Sequence, residues 1–136
     1  MPHIVQSFDA ELQKLSALVV DMGATVGTQI DQAADAFKTR DAAIAKTVIA
    51  ADKTVDALQM RIEERVITMI AKRQPLAVDL RETIATLKIA TDLERIGDHA
   101  TNIAENIHCV ATGEFLSGDR PKGDNPSVIA PRTDGT

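Results

Sequence analysis

Two sets of acidic residues recur at helical spacing in this chain. Glu94, Asp98 and Asn102 follow one another four residues apart, and Glu105 lies just beyond them. Earlier, Asp52, Asp56, Gln59 and Glu63 stand at i, i+4, i+7 and i+11. Side chains four apart stack on one face of a helix, so each set predicts a row of oxygen ligands. Hard or borderline cations such as Fe³⁺, Mn²⁺, Mg²⁺ and Ca²⁺ are held by several carboxylate oxygens at once. Two facing pairs, Asp52 with Asp56 and Glu94 with Asp98, could supply four carboxylates, with Asn102 and Glu105 as additional ligands. The same rows also read as solvated helix faces. Like charges at i,i+4 destabilise a helix by roughly 0.2–0.5 kcal/mol, which leans toward a purpose without deciding it.

Other residues offer less. His99 is turned about 100° from Asp98 on a helix and does not share its ligands. Glu105-x-x-His108 has the spacing of ferritin-like di-iron sites, which need a second such pair and two further Glu residues. A dimer of half-bundles could provide the copies, so a di-iron protein closed by dimerisation stands as the alternative. Cys109 has no activating partner on its own face and reads as a structural thiol. No glycine-rich phosphate loop and no nucleophile with a placed base is found, so the sequence does not support an enzyme.

The elements that must carry the rows are long helices. Ile4, Phe8, Leu12, Leu15, Val19, Met22, Val26, Ile30, Ala33 and Phe37 repeat by three and four, which predicts a first helix opening at Pro2 or near Ser7. Asp41 is a good N-cap for a second, whose stripe is Ile44, Val48, Ala51, Val55, Leu58, Ile62, Val66 and Met69. Gln74-Pro75 stops it, because proline disfavours a helical residue before it. The third helix runs from about Leu76 to Ala111, with Gly113 as its stop. On it, Ile89, Leu93, Ile96, Ala100, Ile103, Ile107 and Val110 predict a core-facing stripe nearly opposite the carboxylate row. Upstream, Leu80, Ile84, Leu87 and Thr91 share the face that later carries Glu94, Asp98, Asn102 and Glu105, so an apolar face turns polar halfway along. The expected fold is all-α: an elongated antiparallel three-helix bundle over residues 1–115. Residues 116–136, rich in turn formers and without periodicity, are expected to form a flexible tail.

Composition agrees. Of 136 residues 44% are hydrophobic but only 2% aromatic, so the core is built from Ala, Val, Ile, Leu and Met, which suits close helix packing. A net charge of −5 argues against nucleic acid as a partner. The single cysteine excludes an internal disulfide and suits a reducing compartment. Nothing resembles a signal peptide or a bilayer-spanning run, and the expected location is cytoplasmic.

Several ordered motifs resemble the PhoU family of phosphate-specific transport accessory proteins. They are Phe8-Asp9-Ala10-Glu11-Leu12 and Met22-Gly23, Ala51-Asp52-Lys53-Thr54-Val55-Asp56, and Ala71-Lys72-Arg73-Gln74-Pro75 with Asp79-Leu80-Arg81. The last is Asp92-Leu93-Glu94-Arg95-Ile96-Gly97-Asp98. The resemblance implies an all-helical cytoplasmic regulator that links the ATPase of a phosphate ABC importer to a sensor histidine kinase and represses the phosphate-starvation response. It also implies metal, iron or zinc, bound at the E(D)-x-x-x-D motifs, which here are Asp52 with Asp56 and Glu94 with Asp98. Family members carry two tandem three-helix repeats, whereas this chain has room for one. Up to Asp98 it resembles the first repeat and from His99 onward the end of the second, as an internal shortening at the shared Glu-Arg-Ile-Gly-Asp would leave. A lone bundle is expected to leave an apolar face open, which a homodimer would cover.

Overall fold

Two tight turns define the topology. After α1 (Pro2–Thr39), Arg40 takes a left-handed conformation, with φ 52°, and Asp41 N–H donates back to Ala36 O at 3.1 Å. Asp41 then caps α2 (Ala42–Arg73), its Oδ1 accepting from Ala43 N at 2.9 Å and Ile44 N at 3.2 Å. α2 closes on left-handed Gln74, whose N–H donates to Ile70 O at 3.0 Å. Extended Leu76 leads into α3 (Ala77–Thr112), and Gly113, with φ 75°, ends it. The stops expected at Asp41, Gln74-Pro75 and Gly113 are all present. Pro2 at the start of α1 fits the first turn, where its missing N–H leaves no bond unmade.

The computed structural model describes residues 2–114, with side chains from Phe8 onward. They form an all-α, antiparallel three-helix bundle in which each helix packs against both others. The 38 residues of α1 span about 57 Å at 1.5 Å per residue. Ile4 of the expected first stripe and the expected tail at 116–136 lie outside the described side chains. No described helix is long and apolar enough to cross a membrane.

The interior has two halves. Toward the α2–α3 turn the packing is bulky, with Leu15, Met22, Ile62, Val66 and Met69 buried among their neighbours. Arg73 Nη2 ties this end to α1 through Glu11 Oε1 at 2.8 Å. Toward the α1–α2 turn the buried residues are small: Ala33, Ala36, Ala45, Ala100 and Ala104, with Val48 and Ile107. Small side chains let helix backbones approach closely. A band of polar residues, Gln29, Asp52 and Thr101, lies buried as well.

Two expected stripes are corrected by this packing. On α2 the fully buried positions are Ala45, Val48, Asp52, Val55, Ile62, Val66 and Met69, with Ile44 packed against the core from its edge and Ala51 half-buried. On α3 only Leu93, Ala100 and Ile107 of the expected stripe turn inward, while Ile89, Ile96, Ile103 and Val110 are exposed. Ile30 and Phe37 of α1 are exposed too. The reason is steric. α3 is wedged against two helices and meets them through Ala90, Gly97, Ala100 and Ala104, where a branched side chain would hold the backbones apart.

Candidate functional site

The acidic motifs are brought together by Gly97. A Cβ built there would stand 3.5 Å from Val55 Cγ1 on α2, 3.5 Å from Val26 Cγ2 and 3.0 Å from Gln29 Oε1 on α1. Val55 lies inside the Asp52–Asp56 pair and Gly97 inside the Glu94–Asp98 pair. The two pairs therefore meet at one level of the bundle, as the antiparallel α2–α3 hairpin requires.

They are not on open faces. Asp52 is fully buried, while Asp56, Glu94 and Asp98 are half-buried. Asp52 Oδ2, Asp98 Oδ1 and Glu105 Oε1 are shut off from solvent. None of Asp52, Asp56, Glu94, Asp98 and Glu105 is free of an interaction partner. Of the upstream residues on this face, Ile84, Leu87 and Thr91 are half-buried, consistent with a row that runs along the α2–α3 contact, while Leu80 is exposed. Burying a carboxylate carries a large desolvation cost unless neighbours compensate its charge, so this is no merely solvated helix face.

Gln29 completes the level. Its Nε2 donates to Val48 O at 3.0 Å, one turn before Asp52. Thr101 Oγ1 donates to Gly97 O at 2.9 Å, which satisfies a buried hydroxyl within its own helix. Neither Gln29 nor Thr101 was singled out by periodicity. The available signal was the strict alternation of three and four through 45, 48, 52, 55, 59, 62, 66 and 69, which places Asp52 on the inward seam.

The remaining candidates are placed differently. Asn102 is half-buried and His99 is exposed. Glu105 and His108 are buried, and His108 Nδ1 lies 3.3 Å from Glu114 O of its own chain. Among the described residues no group of three or more His, Cys, Asp or Glu is arranged to hold a metal ion. The acid pairs offer oxygen donors of the kind a hard cation takes, but among the described residues they are not gathered into a cage, and the sequence holds no second Glu-x-x-His pair to stand beside Glu105 and His108.

A family model described as the PhoU domain matches residues 19–107. The chain belongs to the PhoU family. It is 44% identical over 115 residues to the phosphate-specific transport system accessory protein PhoU homolog of Caulobacter vibrioides, covering 85% of this chain and 50% of that protein. Against the Escherichia coli phosphate-specific transport system accessory protein PhoU it is 42% identical over 119 residues, covering 88% and 48%. The Rhizobium meliloti homolog is 39% identical over 109 residues, covering 80% and 46%. The chain thus spans about half the length of the curated relatives it matches. The matched span of the PhoU domain contains both acid pairs, Gly97 and Gln29.

Proposed function

We propose that this chain regulates phosphate uptake and the phosphate-starvation response as an adaptor between the ATPase of a phosphate ABC importer and a sensor histidine kinase. The observation that carries the reading is the PhoU-domain match across most of the bundle, with relatives named as accessory proteins of phosphate-specific transport. The chain acts in the cytoplasm as a homodimer, reaches the membrane only through its partners and performs no reaction. Its effect comes from which partner surface it occupies.

Asp52, Asp56, Glu94 and Asp98 are the residues that hold a metal in this reading, with Asn102 and Glu105 beside them. An oxygen-only donor set favours iron as Fe³⁺ over zinc, which takes nitrogen and sulfur ligands more readily. Water ligands would be needed beside these side chains, which do not form a cage among the described residues, and a bound ion would offset the negative charge where α2 meets α3.

The experiment is complementation. In a host lacking its own PhoU protein and grown in phosphate-rich medium, expression of this chain is expected to restore repression of a phosphate-starvation reporter. A reporter that stays fully on, with the chain present at the level of a full-length relative, would overturn the reading.

A further inference from the structure

Seven of the twelve large apolar residues exposed among the described ones gather on one side of the bundle. On α3, Ile89, Ile96, Ile103 and Val110 recur every seven residues, and on α1 Val20, Ile30 and Phe37 are exposed beside them. These seven side chains are between 42% and 69% exposed. They belong to one face, because Gly23 of α1 faces Leu93 Cδ1, and Phe37 shares a cleft of about 210 Å³ with Ile103 and Val110. Arg40 and Asn106 edge that cleft. A seven-residue apolar repeat is the seam of a helix that packs along another helix.

We infer that this α1–α3 face is a two-fold interface with a second copy of the chain, α3 lying antiparallel on α3 and α1 on α1. The inference rests on the homodimer of the reading above and assigns its face and register. Two features of the surface select a second copy. The first is register. An axis that sets Ile96 against Ile103 of the second copy also sets Ile89 against Val110. Because α1 runs alongside α3 about 70 positions earlier in the chain, as Gly23 beside Leu93 shows, the same axis sets Val20 near Phe37 and Gly27 near Ile30. A Cβ at Gly27 would meet nothing within 4 Å, so that position is a hole open to the incoming isoleucine. Knobs and holes of one face thus fit the same face reversed, as an isologous contact requires.

The second feature is charge. Asp92, exposed, lies three residues after Ile89 and four before Ile96 on the seam's edge. Reversal carries it to the cleft end of the other copy, where Arg40 is exposed. The pair is repeated by symmetry at both ends. An unrelated partner would have no reason to meet both the register and the reversed charge.

Analytical ultracentrifugation of the full chain tests this. The wild type is expected to sediment at twice its 14.6 kDa mass at micromolar concentration. Ile103→Glu and, separately, Ile30→Glu are expected to weaken the dimer on the order of 100-fold with helicity kept, since burying a charge at an interface is strongly unfavourable. Asp92→Arg should weaken it roughly tenfold, and adding Arg40→Asp should restore it. A dimer indifferent to all of these overturns the face but leaves the homodimer. A monomeric wild type overturns both, and so does a monomer that pairs only after residues 115–136 are removed, since that segment then covers the face. A dimer made this way that fails to restore reporter repression sinks the regulatory reading alone.

Discussion

Gln29 lies directly against Gly97: a Cβ at residue 97 would stand 3.0 Å from Gln29 Oε1. Gln29 cannot easily yield, because it is fully buried and its Nε2 is held by Val48 O at 3.0 Å. Glycine at 97 lets α1 and α3 close over a polar side chain at the level of the acid pairs.

Gly97→Ala is therefore expected to destabilise the bundle. Alanine gains about 1 kcal/mol over glycine in a helix interior, but overpacking costs typically about 1–3 kcal/mol. A net loss of about 1 kcal/mol should appear in urea denaturation. In a Gln29→Ala background the same change should become neutral or stabilising, and such coupling is what a double-mutant cycle reads. A stabilised single mutant would show that Gln29 is not held as described.

The capping of α2 gives a simpler expectation. Asp41 Oδ1 accepts two backbone N–H groups at the helix start. Asp41→Ala should cost about 1 kcal/mol, with Asp41→Asn or Asp41→Ser close to wild type. Equal losses in all three would point away from the cap and toward the left-handed Arg40 turn.

The acid pairs are tested by elemental analysis of the purified chain. Iron is expected in the wild type after reloading, lost in Asp52→Asn and Asp98→Asn, and retained in His108→Ala. The Asn variants keep shape and remove charge, so a metal loss there is not a packing defect. Iron lost with His108 instead would revive the di-iron alternative, and no metal in any sample would remove the ion from the account.

Much of the fold was legible from residue types alone. Asp41, Gln74-Pro75 and Gly113 mark their boundaries because each solves a local backbone problem that any helix end poses. Rotation of the helices was harder to read. On α2 the row through Ile44, Val48 and Ala51 is the more hydrophobic, although only the row through Ala45, Val48 and Asp52 keeps a strict alternation of three and four. On α3 the bulkiest row, Ile89 to Val110, reads as core by hydrophobicity alone. The three backbones close instead on Ala90, Gly97 and Ala104, because proximity selects small volume. That error of rotation also hid the burial of Asp52, since a carboxylate on an inward seam looks from the sequence like a break in the stripe. The pairing of the two acid motifs was legible, because an antiparallel hairpin with a tight turn brings them level.

The adaptor role is tested most directly by binding. Immobilised ATPase subunit of the phosphate ABC importer and, separately, the cytoplasmic portion of the sensor histidine kinase are each exposed to the purified chain in surface plasmon resonance. The account predicts saturable binding to both, with the bundle folded by circular dichroism. A folded chain that binds neither partner would contradict it.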